Sequence, residues 1–575
     1  MRKQIVLYTL IAVLLSVFSV AVMAQDDVAR EDTVIFDYDR TVAAPDNFNP
    51  FTADGRNNRG NGAHQAMWEP LFILNYTTGE IDPWLGESMT SNETLDMWTL
   101  TLRDGVTWSD GEAFNAEDVV FTVEMLSSEP GSTLPGAEGI GGVVDTVTAV
   151  DDLTVEFTLQ APNPRFQLDF FSVRSTNSVL IMPEHIWAGE DPTTFTFYAD
   201  DGSLPIGTGP YTLTSAETNR WVWDRNDDWW GVEAGFNDLP EPLRLIWLSV
   251  QTEDNRVQLI SNNETDAANN VSLAAFEVIQ SRNPNVIAWE TDLPYSWSDP
   301  CPRQLDINTT VAPWDNAAMR EALSLIVDRQ EIVDFAYEGT TIPSNSMFVE
   351  YGSMAPFIDA VVAAGFGNSA TADVAAAQAL IEGEGYALDG DFYALDGETL
   401  SVEILVNNAS TEYTSTVEVI VGQLQDAGID AFSRPVDNGT FWGQAAPESD
   451  YEVAYGWLSC GSVNEPFASM SRYSADGRFN NTGMWDSEAQ AAYAELIADL
   501  GTRPLDDPAI PELVAEAYSY IDAETPIIPL VQATKLLPFN TTYWTGWPTA
   551  DNAYNHPAFW WNHTHQIIHN LEKAR

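Results

Sequence analysis

The run LRDGVTWSDGEAFNAEDVVFTVEML, residues 102–126, is the stretch from which the fold is read. Its second half begins a helix. Asn115 offers a side-chain acceptor at the cap, and Asp118 stands at the third helical position, where it can reach back to the cap backbone. Val119, Val120, Val123 and Leu126 recur at helical spacing and supply an apolar face.

Working outward, VTAVDDLTVEFTLQ (147–160) alternates like a hairpin, with Asp151-Asp152 at the turn. A second helix follows Asp315, with Met319, Ala322, Leu323, Ile326 and Val327 on one face. Leu400–Val406 reads as a strand, a helix runs from about Thr414 to Ala427, and Gly428-Ile429 leads into another strand. Strand–helix–strand order points to α/β units. Gly131–Gly142, rich in small residues, reads as a surface loop. There is no internal repeat and no long linker, so compact packed lobes are expected.

The chain of 575 residues is too long for one core, and two or three domains are expected. Arg2 and Lys3, the apolar run from Ile5 to Val22, and Val22-Met23-Ala24 follow the order of a cleaved export signal. The alternative is an uncleaved anchor, since the apolar run approaches spanning length. The segment has no cysteine for lipid attachment. The formal charge is −62, and the lysines are Lys3, Lys535 and Lys573 alone. Such a surface repels nucleic acid and anionic headgroups. Solubility in a salty medium, where screening relieves self-repulsion, is the functional expectation; equal thermal stability with and without molar salt would count against it. Cys301 and Cys460, the only cysteines, are expected to form one disulfide in an oxidising compartment, with two buried free thiols as the alternative.

Run 102–126 resembles the signature of the family 5 extracellular solute-binding proteins, the oligopeptide- and dipeptide-binding group of ABC importers. Other segments agree in order: Trp68-Glu69-Pro70-Leu71 with Pro83-Trp84-Leu85-Gly86, then Pro205-Ile206-Gly207-Thr208-Gly209-Pro210-Tyr211, then Arg225–Gly231 (RNDDWWG), then Asn308 with Met319–Leu323 and Val327-Asp328-Arg329. The resemblance implies a periplasmic-binding-protein type II-like α/β fold, with two lobes closing on a ligand about a hinge and an extra domain inserted in the first lobe. On this chain that places a signal peptide at 1–24, a discontinuous first domain at 25–66, 204–288 and 525–575, the inserted domain at 67–203, and the second lobe at 289–524. It further implies a periplasmic or cell-surface monomer, without cofactor or catalysis, that delivers its ligand to ABC permease subunits.

Peptide-binding members hold the peptide's amino group with an aspartate in a pattern like W-x-x-D. Here Trp457-Leu458-Ser459-Cys460 puts a cysteine at that position, and Asn464-Glu465-Pro466 replaces the following D-P turn. YWTGWPTADNAY (543–554) resembles the oligosaccharide-binding branch. Flat indoles cover the apolar faces of sugar rings, and amides and carboxylates meet their hydroxyls. The candidate ligand contacts are therefore Trp297, Asn308, Trp442, Trp457, Asn464, Glu465, Trp544 and Trp547. An oligosaccharide is the expected ligand and an oligopeptide the alternative.

A secreted polysaccharide hydrolase is the alternative from another class, but 86 acidic residues make candidate carboxylate pairs uninformative. Gly456–Gly461 misses the spacing of a serine nucleophile elbow by one residue. A receptor-signalling binding protein is a further alternative. His563, His565 and His569 read as exposed residues of a terminal segment, with metal ligation as the sharper alternative.

Overall fold

The computed structural model describes residues 28–38, 42, 44–59, 62–174, 178–475, 480–561 and 563–575. The expected export signal, 1–24, lies outside them. Among the described residues no helix is long and apolar enough to cross a membrane.

The chain opens with β1 (Thr33–Tyr38). An excursion follows, containing β2 (Gly86–Ser91), β3 (Met97–Leu102), α1 (Ala116–Ser127), β4 (Val144–Asp151) and β5 (Thr154–Leu159). These strands form an antiparallel sheet of order β2-β3-β5-β4. The chain then returns through β6 (Tyr211–Glu217), β7 (Arg220–Arg225) and β8 (Arg244–Ser249), completing a sheet of order β1-β8-β7-β6 with β1 parallel to β8. Helices α2 (Glu253–Ser261) and α3 (Leu273–Arg282) follow.

The second lobe holds β9 (Trp297–Ile307), α4 (Ala317–Ile326), α5 (Arg329–Ala336), β10 (Ser401–Asn407), α6 (Thr411–Asp426), β11 (Asp430–Val436), β12 (Val453–Gly456) and β13 (Ile527–Lys535). Its sheet runs β11-β10-β12-β9-β13. β9 is antiparallel to both neighbours, and β10 is parallel to β11 and β12. This is a mixed α/β fold. Val402, Ile404, Leu405 and Val406 are buried on both faces, as expected of a strand flanked by helices. Ile404→Ala would cost about 2–5 kcal/mol.

The local expectations for helices and hairpin hold. The Asn115 carboxamide accepts from Glu117 N–H at 2.8 Å, and Asp118 Oδ2 accepts from Asn115 N–H at 3.1 Å. Asp118 also accepts from Trp108 Nε1 at 3.1 Å, which ties the two ends of the opening run together. Asn316 caps α4 by accepting from Ala318 N–H.

The other motifs are architectural too. Glu69 accepts from Trp84 Nε1 at 2.9 Å and from Trp230 Nε1 at 3.0 Å; Trp229 and Trp230 both donate to the Thr208 carbonyl. Gly207 and Gly209 press against the Met67 backbone, where a Cβ would lie 2.3 and 2.7 Å from Met67 O. Arg320 and Arg329 donate to the carbonyls of Glu524 and Pro529, just before and within β13.

Two expectations are corrected. Strand β13 pairs with β9 from Asp306↔Ile527 to Trp297↔Lys535, so residues 527–535 belong to the second lobe's sheet and the return to the first lobe begins later than 525. The 131–142 segment is not a plain surface loop: Gly131, Gly136, Ala137 and Ile140 are buried, with Gly136 against the Phe51 backbone.

Candidate ligand-binding cleft

The C-terminal ends of β10, β12 and β13 and the start of β9 lie along one edge of the second sheet. In open α/β sheets the crevice outside the carboxyl ends of the strands is where ligands bind. A cavity of about 770 Å³ opens there, lined from both lobes. The first lobe contributes Glu253 and Arg256 of α2 and the 269–273 segment. The second contributes Phe335 and Tyr337 around the end of α5, the 409–413 turn that starts α6, and Lys535 at the end of β13. Trp560 closes one side.

The second-lobe wall is built around a buried ion pair. Arg303 Nε donates to Glu412 Oε1 at 2.8 Å, and Tyr337 Oη donates to the same oxygen at 2.8 Å. Burial pushes the Glu412 carboxyl up, but the Arg303 guanidinium and the Lys535 ammonium outweigh it and hold the group below its ordinary range. The Arg303 guanidinium lies 5.1 Å from the Trp457 ring centre and 5.4 Å from that of Tyr413. Trp457 in turn meets Tyr413 at 4.9 Å and Trp442 at 5.1 Å. All three rings are partly exposed, giving an aromatic surface beside the polar cavity.

On the first-lobe side, Arg256 pairs with Asp37 and donates to the Asn270 and Val250 carbonyls. Asn270 Oδ1 accepts from Leu536 N–H at 2.8 Å, anchoring the strand where the chain leaves the second lobe.

Cys301 and Cys460 form the expected disulfide, joining β9 to the segment after β12. Position 460 therefore offers neither a carboxylate nor a thiolate to a ligand. Arg303 Nη1 donates to the Cys301 carbonyl at 3.0 Å, linking the disulfide to the cavity wall.

The other sequence candidates have different places. Trp297 is buried in a cluster between lobes, 5.1 Å from His556, 5.7 Å from Trp561 and 6.1 Å from Tyr76. Trp544 and Trp547 are a correction: both lie in the first lobe's core, Trp544 donating to the Thr33 carbonyl and Trp547 stacking on Phe539 at 4.8 Å. Asn308 is another: it follows the far end of β9 from Trp297, and its amide donates to the Ser449 and Tyr451 carbonyls.

Asn464 and Glu465 are committed to the excursion between β1 and β6. Asn464 donates to the Gly79 carbonyl, and Glu465 pairs with Arg165 at 3.0 Å while accepting from Phe467 and Ala468 N–H. The histidines are corrected as well. His563 and His565 are buried and His569 is half-buried, and burial pushes His563 and His569 down to about 3. Among the described residues no group of three His, Cys, Asp or Glu side chains is placed to hold a metal.

Comparison with known proteins bears on this geometry. The model of the bacterial extracellular solute-binding proteins, family 5 Middle, matches residues 80–481. The chain belongs to this family. Its members are the solute-binding components of ABC importers, exported to the periplasm or cell exterior, and do not catalyse a reaction.

Among family 5 relatives, the periplasmic oligopeptide-binding protein OppA of Salmonella typhimurium is 24% identical over 85% of this chain and 86% of its own length. The nickel-binding periplasmic protein of Escherichia coli is 29% identical over 50% of this chain, spanning 51% of its own length. The mannohexaose-bound periplasmic oligopeptide-binding protein of Thermotoga maritima superposes with a TM-score of 0.74 at 22% identity, covering 95% of this chain and 99% of that one.

The sequence reading missed Arg303, Tyr337, Glu412, Tyr413 and Lys535. The available signals were the scarcity of lysine, which singles out Lys535, and the start of the helix predicted after strand 400–406.

Proposed function

We propose that this family 5 protein is exported by its first 24 residues and, as a monomer, captures an oligosaccharide between its lobes for delivery to a membrane permease. The observation that carries the sugar reading is the partly exposed surface of Trp442, Trp457 and Tyr413, continuous with a polar cavity lined from both lobes. Aromatic faces cover the C–H faces of sugar rings, and the surrounding amides and hydroxyls suit sugar hydroxyls. Position 460 holds a disulfide-bonded cysteine where the peptide binders' pattern has the aspartate that holds a peptide's ammonium. The Thermotoga relative bound to mannohexaose is consistent with a hexasaccharide fitting this fold. Closure follows from ligand contacts to both lobes, with the chain crossing between them near 288–297 and 535–539.

A second reading, an oligopeptide, is favoured by Glu412 and Lys535, which place both signs of charge in one cavity as a zwitterion requires. Isothermal titration with cello-oligosaccharides and with tri- to pentapeptides separates the two. Heat with the sugars is the expected result; peptide binding without sugar binding overturns it.

A further inference from the structure

Lysine is nearly absent from this chain. Of its three lysines, Lys573 is bonded to Asp32, and Lys3 precedes the described residues. Lys535 stands instead at the end of β13, opposite Trp297, where the chain leaves the second lobe, and it lines the inter-lobe cavity. Among the described residues no carboxylate lies at ion-pairing distance from its ammonium, although the chain has 86 acidic residues.

The carboxylates nearest in electrostatic terms are already engaged. Glu412 Oε1 accepts from Arg303 and Tyr337, and Asp299 Oδ1 accepts from Cys301 N–H at 3.0 Å. A half-buried ammonium facing a cavity, felt by Glu412 and Asp299 but in direct ion-pair contact with neither, is open to a carboxylate from the ligand. Hydroxyls of Thr411, Tyr413 and Thr534 line the same space and can hold the remaining oxygens. The start of α6, a helix of 16 residues, also opens on it and adds positive potential.

We propose that Lys535 is a specificity-determining residue that receives a carboxylate of the bound oligomer, so that the preferred ligand is anionic, of the uronic-acid oligosaccharide class. This rests on the cleft reading above but not on the sugar assignment, because a peptide's terminal carboxylate presents the same chemistry.

The test uses the full mature chain and its Lys535→Met and Lys535→Arg variants, each first shown to unfold at the temperature of the parent. Titration compares tri-galacturonate with its methyl-esterified form, and a tripeptide with its C-terminal amide. The expected result is a preference of about tenfold or more for the free carboxylate in one pair. Lys535→Met removes that preference and Lys535→Arg keeps part of it. Equal binding of ester and acid with no peptide binding overturns the role of Lys535 and leaves the oligosaccharide reading standing. A preference confined to the peptide pair and lost in Lys535→Met upholds Lys535 and overturns the oligosaccharide reading. A carboxylate preference that survives in Lys535→Met overturns the proposal.

Discussion

Arg165 and Glu465 form an ion pair across the boundary between the excursion domain and the second lobe, Nε to Oε2 at 3.0 Å, with side chains only 2% and 4% exposed. Arg165 also donates to the Leu500 and Gly501 carbonyls and lies over the Phe467 ring. Removing one partner of a buried pair strands the other charge, at a cost of about 3–5 kcal/mol. Arg165→Met should therefore lower stability by that order in urea titration. Burial shields the pair from salt, so the loss should persist in molar sodium chloride. A loss that disappears at high salt would show the pair to be solvent-accessible.

The disulfide between Cys301 and Cys460 spans 159 positions. In the chain-entropy account, closing so long a loop stabilises by about 4–5 kcal/mol, with engineered cases often giving less. The bond also fixes the Cys301 carbonyl to which Arg303 donates and closes the segment that follows Trp457. Cys301→Ser/Cys460→Ser should lower the unfolding midpoint and weaken ligand binding together. Unchanged affinity in the folded variant would detach the bridge from the site.

The fold was legible because its markers are local. A cap with its reciprocal carboxylate at 115 and 118, glycines pressed on Met67, and the Glu69–Trp84–Trp230 contacts are each set by a few neighbouring residues and leave fixed spacings in the sequence. The site was less legible because orientation is a tertiary property. Trp544 and Trp547 carry the same indole as Trp457, yet the first two face a core and the third stays partly exposed against Tyr413, which lines the cleft. Asn308 lies one strand-length from the cleft, since β9 runs away from it. Glu465 has the chemistry of a ligand contact but is claimed by Arg165, 300 residues earlier in the chain.

Asp306 is buried in the second sheet with Gln304 Nε2 at 2.7 Å and, among the described residues, no cation beside it, and burial pushes its carboxyl up to about 7. The folded state then holds the proton more tightly than the unfolded chain, whose value is near 3.8. This group's contribution is full below pH ~4 and is lost as pH rises through about 7. Each pH unit that separates the folded from the unfolded value is worth about 1.4 kcal/mol, so the loss is a few kcal/mol at most. Asp306→Asn keeps an acceptor for Gln304 and removes the titration. Its stability should fall less between pH 5 and pH 8 than the parent's, as read by denaturant midpoints at the two values. Parallel profiles would mean that Asp306 is not the titrating group.

The two tryptophan environments give opposed expectations. Trp547 is 2% exposed, stacks on Phe539 with rings inclined by 15°, and donates to the Trp544 carbonyl. Trp547→Ala should cost about 3–5 kcal/mol of stability through the cavity it leaves, with little change in ligand affinity among folded molecules. Trp457 keeps part of its surface open and lends one face to the Arg303 guanidinium. Trp457→Ala should leave the unfolding midpoint within a few degrees and weaken ligand binding about 10- to 100-fold, the range expected when a well-packed aromatic anchor is truncated. Calorimetric titration and thermal unfolding of both variants place each tryptophan on its own axis. If Trp457→Ala destabilises the protein and spares affinity, the aromatic surface beside the cavity is packing and the ligand lies elsewhere in the cleft.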